Sequence, residues 1–96
     1  MNKTEFLFDL SEREKDIIVV TIYNAAGVIA MTKMSIMSVE DNDDEIVIRD
    51  DYNNYVVLNT NNISKSVDED LGEITYTFKN DNYLVDVILY ENTRKN

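Results

Sequence analysis

The chain has 96 residues, nine Lys and Arg against nineteen Asp and Glu, a formal net charge of −10, and no cysteine, histidine, proline or tryptophan. That length is one domain's worth, and the missing cysteine and histidine remove disulfide frameworks, thiolate metal sites, zinc centres and the usual general base. The negative charge would repel a phosphate backbone, which argues against direct nucleic-acid binding.

The first ten residues carry Glu5 and Asp9 where a secretory leader has an uninterrupted apolar run. The longest apolar stretches fall far short of the ~20 residues that span a bilayer. The expectation is a cytoplasmic protein with no membrane association. Residues 4–16 are compatible with a short helix, and Ser11-Glu12-Arg13-Glu14 matches the S-x-x-E capping box. Ile17-Ile18-Val19-Val20-Thr21-Ile22-Tyr23 is β-branched and aromatic, a buried strand, and ends at the turn-compatible Asn24-Ala25-Ala26-Gly27. Residues 28–39 read two ways. Met31, Met34 and Met37 recur at helical spacing, whereas Val28, Ile29, Thr32, Ile36 and Val39 favour a long bent strand, the preferred reading. Such a methionine stripe is ordinarily core filler.

Further along, Ile46 and Ile48 alternate within residues 45–49 to make a short strand. Asp50-Asp51-Tyr52-Asn53-Asn54 turns into a strand at 55–58, and 62–67 continues the pattern. The clearest hairpin is C-terminal: Ile74, Tyr76 and Phe78 alternate with Thr75, Thr77 and Lys79, Asn80-Asp81-Asn82 turns, and residues 83–90 return. The return strand is apolar on both faces, so it is either central or covered by a helix or second subunit. With two glycines and no proline, turns must rely on Asn and Asp, which hydrogen-bond their own backbone.

Charge is concentrated. Residues 40–51 hold seven acidic groups against Arg49 alone, a net −6 of the total −10. Glu40, Asp41, Asp43, Asp44 and Glu45 precede the short strand and Asp50 and Asp51 follow it, so two carboxylate clusters stand ~16 Å apart at the usual strand rise. That separation is compatible with rows of Lys and Arg in a nucleic-acid-binding groove; the commoner use of a charge run is a solvated face. Tyr52 and Tyr55 beside the turn are candidate desolvated anchors, and Asp68, Glu69 and Asp70 form a second acidic patch.

Other chemistries fit poorly. An EF-hand loop begun at Asp41 puts Ile46 at the glycine position and Tyr52 at the twelfth, where Glu is needed, so no metal site is expected. Paired carboxylates serve glycosidases, but 96 residues leave little surface for a sugar cleft. No G-x-S-x-G, S-x-x-K or glycine-rich phosphate loop is present. The expectation is a protein that is not an enzyme and needs no cofactor.

The order of strands at 17–23, 28–39, 45–49 and 55–58, followed by Asn62-Ile63-Ser64-Lys65-Ser66-Val67, resembles a small SH3-like or Sm-like barrel with an added C-terminal hairpin. The fold class expected is therefore mainly β, a β-rich α+β domain: a small antiparallel sheet or such a barrel, with a C-terminal β-hairpin and a short N-terminal helix. Sm-like proteins bind RNA through basic loops; here the corresponding turns are acidic, and that function does not carry over. In length, charge, lack of catalytic residues and an asparagine-rich composition typical of AT-rich coding, the chain is similar to small acidic phage-encoded inhibitors of the anti-CRISPR and anti-restriction kind, several of which mimic DNA. That resemblance implies a non-catalytic inhibitor of a basic nucleic-acid-binding nuclease complex, working in the cytoplasm of a bacterial host as a monomer or homodimer. The alternatives are a small-barrel module that oligomerises and an immunity protein or antitoxin directed at a basic toxin.

Overall fold

The computed structural model describes residues 3–12 and 17–90. One helix, α1 (Lys3–Ser11), is followed by eight strands: β1 (Ile17–Asn24), β2 (Gly27–Ser35), β3 (Ser38–Asn42), β4 (Glu45–Arg49), β5 (Tyr55–Asn59), β6 (Ile63–Asp68), β7 (Glu73–Lys79) and β8 (Leu84–Tyr90). They form two antiparallel sheets, a five-stranded one in the order β2-β1-β8-β7-β6 and a three-stranded one in the order β3-β4-β5. The domain is β-rich with one short helix, and its sheets stay open, so the barrel expected from the strand order is not formed.

One core joins the elements. Phe6 and Leu10 of α1 pack with Ile18 and Val20 of β1, Tyr76 and Phe78 of β7, Val85, Val87 and Leu89 of β8, and Ile46, Ile48 and Leu58 of the smaller sheet. Phe6 meets Tyr76 and Phe78 edge-on, with ring centroids at 4.9 and 4.8 Å, an arrangement that aligns ring edges with ring faces. The C-terminal hairpin forms as expected, and β8 lies in the middle of its sheet between β1 and β7. Its Val85, Val87 and Leu89 face the core while Leu84, Asp86 and Ile88 face outward, half-buried. On that outer face the Asp86 carboxylate accepts hydrogen bonds from the Tyr23 and Thr77 hydroxyls.

Two expectations are corrected. The capping box does not start a helix: Ser11 is the last residue of α1, and its hydroxyl donates to the Phe8 carbonyl one turn back. Residues 13–16 lie outside the described residues. The long strand expected at 28–39 is two strands in different sheets. At the corner Ile36 turns inward among the core residues and the Met37 N–H donates to the Arg49 carbonyl at 2.8 Å, which seats β3 on β4. Met34 is buried, whereas Met31 lies in the part of β2 that is exposed on both faces and Met37 lies exposed between β2 and β3. Only one of the three fills the core.

Turn chemistry follows the composition. Asn24, Asp50, Asn59 and Asp68 each accept, through a side-chain oxygen, the backbone N–H two residues ahead. Asp43 and Asn53 take left-handed backbone conformations, with φ of 60° and 68°; these two residue types tolerate that region because their short side chains bond locally. Among the described residues no helix is long and apolar enough to cross a membrane.

Candidate functional site

The acidic segment builds the three-stranded sheet. β3 and β4 are joined by the two-residue turn Asp43-Asp44, and β4 passes through Asp50–Asn54 into β5. Strand alternation then sorts the charges. Asp41 is opposite Ile46, on the face toward the core and α1, while Glu40, Glu45 and Arg49 share the outer face with Tyr55.

Each carboxylate has a distinct environment. Asp50, expected at the contact surface, is instead buried, with 8% of its surface exposed. Its Oδ1 accepts the backbone N–H groups of Tyr52 and Asn54, and its Oδ2 accepts from the Asn54 side chain. Burial alone would raise its pKa, but these donors outweigh it and hold the carboxyl below the ordinary Asp value. Asp50 therefore closes the turn and is removed from the contact set. Asp41 accepts from Lys3 Nζ at 2.9 Å, and the same ammonium donates to the Asp43 carbonyl. The bond to Asp41, reinforced by the nearby charges of Asp43 and Asp44, raises the Lys3 pKa against the opposing effect of desolvation. Glu40 pairs with Arg49 at 3.5 Å, and the Arg49 guanidinium lies 5.2 Å from the centre of the Tyr55 ring. A pair this exposed contributes at most about 1 kcal/mol to stability.

Asp43, Asp44, Glu45 and Asp51 remain. All are exposed, and among the described residues none has a Lys or Arg nitrogen within 4.0 Å. They stand at the two ends of β4, the first three at its start and Asp51 just past its end. Tyr52 beside Asp51 is 82% exposed and Tyr55 is 60% exposed. The surface extends to a residue that the charge count overlooked: Asp81, on the β7–β8 turn, lines a depression of about 310 Å³ together with Glu45, Val57, Asn59 and Tyr83. Its only trace in the sequence was a place in a predicted turn, and nothing there indicated which sheet the turn would meet.

Asp68, Glu69 and Asp70 are exposed but lie elsewhere. They occupy the β6–β7 turn, at the far end of β7 from the Asn80–Tyr83 turn, a separation of ~20 Å for a seven-residue strand. Asp68 is partly engaged in holding that turn through the N–H groups of Asp70 and Leu71. The two acidic patches are thus not brought together.

A second polar cluster, at the other side of α1, belongs to the fold. Lys65 of β6 bonds Glu5 and lies 3.5 Å from Asp9, and the Tyr76 hydroxyl donates to Asp9. The Lys65 pKa is raised chiefly by the Glu5 bond, and that of Tyr76 chiefly by burial and then by Asp9. Both groups keep their protons across the physiological range, and they latch the helix to the sheet. Among the described residues no group of three or more acidic side chains is arranged to hold a metal ion.

No family model, curated protein or solved structure matches the chain.

Proposed function

We propose that this chain is a non-catalytic binding protein whose three-stranded acidic sheet occupies the Lys- and Arg-lined nucleic-acid groove of a basic partner, with a CRISPR effector nuclease the leading candidate. One observation carries the reading: Asp43, Asp44, Glu45 and Asp51 are exposed at the two ends of a short strand and, among the described residues, their carboxylates form no ion pair within 4.0 Å, whereas Glu40, Asp41 and Asp50 are each bonded within the chain. Carboxylates on the tight turns that flank a paired strand cost less further ordering than those on a free chain when a partner's cations reach them. The exposed rings of Tyr52 and Tyr55 supply the apolar anchor that charges alone rarely provide. Steering by a net charge of −10 makes encounter with a basic groove fast and dependent on salt.

The test is DNA cleavage by a panel of purified effector complexes, with and without excess protein. Wild-type protein inhibits at least one complex and competes with its DNA. The variant D43N/D44K/E45K/D51K, in which Asn keeps the left-handed turn made by Asp43, changes the net charge by one neutralisation and three reversals, from −10 to −3, and loses inhibition by at least about a hundredfold while keeping the fold. Full inhibition by that variant, or no inhibition of any complex by the wild type, removes the proposal.

A further inference from the structure

The β7–β8 turn comes up beside the outer face of the smaller sheet. On that face Glu45 of β4 is paired with Asn59 of β5, and Val57 is the next residue of β5 on the same side. The turn is held by the Asn80 N–H, which donates to the Tyr83 carbonyl at 2.9 Å. Between turn and sheet lies the depression of about 310 Å³, to which the turn contributes Asn80, Asp81 and Tyr83.

The lining is rich in acceptors and holds no cation of the chain's own. Glu45 and Asp81 are exposed and, among the described residues, neither carboxylate has a Lys or Arg nitrogen within 4.0 Å. A separate observation points to a donor. The Asn80 Oδ1 atom is buried, and among the described residues no group donates to it. A buried oxygen ordinarily has a partner. The terminal torsion of asparagine is soft, so this oxygen can turn toward a donor seated in the depression. Tyr83, 39% exposed, adds an aromatic ring to the wall, and Val57 adds apolar surface.

We propose that this depression receives an arginine side chain of the basic partner, an assignment that rests on the reading of the acidic sheet as a docking surface. A guanidinium presents a planar fan of N–H donors and no acceptor, which suits two carboxylates and an unpartnered amide oxygen. Its weakly hydrated plane stacks on aromatic rings and its methylenes pack on apolar surface, roles that Tyr83 and Val57 fill. A lysine ammonium has fewer donors and a tighter hydration shell, so it leaves acceptors unmet at a greater desolvation cost. Free arginine would bring its own carboxylate toward Glu45 and Asp81, whereas a side chain within a polypeptide brings the cation alone. The acidic turn at residues 68–70 is the internal contrast. Its Asp68 is engaged with the N–H groups of Asp70 and Leu71, and no buried side-chain acceptor there lacks a donor.

The full chain is titrated with N-acetyl-arginine-N-methylamide at fixed ionic strength, up to about 50 mM, and followed by amide NMR. The backbone amides of residues 80–83 and the Asn80 side-chain amide shift with saturation, at a dissociation constant of about 1–10 mM. The lysine analogue and free arginine each bind at least about threefold more weakly, and the neutral citrulline analogue gives no saturating shift. E45Q/D81N, at two exposed positions, weakens the arginine probe at least about tenfold. Asn80→Ala leaves both carboxylates in place and weakens it at least about threefold, with unchanged circular dichroism. At residues 68–70 the arginine and lysine probes give the same weak, linear response. No saturation at residues 80–83 would overturn the proposal. So would a lysine, citrulline or free-arginine probe as tight as the blocked arginine, or wild-type affinity in E45Q/D81N or N80A. No nuclease enters this titration, so inhibition can fail while the arginine site stands, and the site can fail while inhibition stands.

Discussion

The β1–β2 and β3–β4 hairpins share a construction and differ in what they carry. Each turns on two residues, Ala25-Ala26 in one and Asp43-Asp44 in the other, and each includes one strand at the edge of its sheet. The first lies within a segment whose only charge is Lys33; the second lies within one of seven acids and one Arg. Tight turns therefore do not account for the acidity, because the first hairpin makes its turn with Asn24 and Gly27. The comparison separates carboxylates that build the fold from those that do not.

The comparison can be broken at its shared foundation. Phe6, at 0% exposure, belongs to the single core that joins both sheets, and Phe6→Ala is expected to cost about 3–5 kcal/mol. Against the ~5–15 kcal/mol typical of a domain, that abolishes or nearly abolishes the cooperative thermal transition. Scanning calorimetry reads it, and loss confined to one sheet would show that the sheets do not share a core. The next effect belongs to the acidic side. D43N/D44K/E45K/D51K leaves melting near the wild-type value while removing partner binding, a dissociation between stability and binding that a structural role for these acids does not allow.

A smaller effect sharpens the sorting of the carboxylates. Asp50→Ala leaves two backbone N–H groups without their acceptor and lowers Tm by several degrees. Asp50→Asn keeps an acceptor oxygen and loses less. The folded-state pKa of Asp50 is depressed, so its contribution is present above the unfolded value near ~3.9 and disappears as pH falls through the lower folded value. Urea melts between about pH 5 and 2 are expected to be flatter in both variants than in wild type. The smallest expected change is in E40Q/D41N. These acids are already paired with Arg49 and Lys3, so binding to the basic partner weakens by less than about threefold. A loss as large as that of the four-site variant would mean that the exposed set is drawn too narrowly.

The local strands were legible because their periodicity is local. Ile74, Tyr76 and Phe78 alternate on β7, the return strand lies centrally as its two apolar faces require, and Ile46 and Ile48 line one face of β4. The acidic cluster was legible as a composition, yet its division was not. Asp50 and Asp51 are neighbours of the same chemistry, and only the path of the Asp50–Asn54 loop turns one inward and leaves the other in solvent. The Ser11 motif failed because a four-residue match does not indicate which end of a helix it marks. Asp81 was missed because its neighbourhood is made by chain 22 residues or more away in sequence, at Glu45, Val57 and Asn59.

By itself the sequence determined the elements that depend on near neighbours: strand alternation, Asn and Asp turns, the helix at the N-terminal end, and the contrast between an acid-free segment and an acidic one. The tertiary structure decided where the chain changes sheet, at Ile36–Met37, and hence that two open sheets stand in place of a barrel. It decided which carboxylates are satisfied by Lys3, Arg49 and backbone donors, and which strands stand at the edges of the two sheets. The physical reason is range. A strand is specified by residues two apart, whereas burial, ion pairing and edge exposure depend on groups that meet only after the chain has closed on itself.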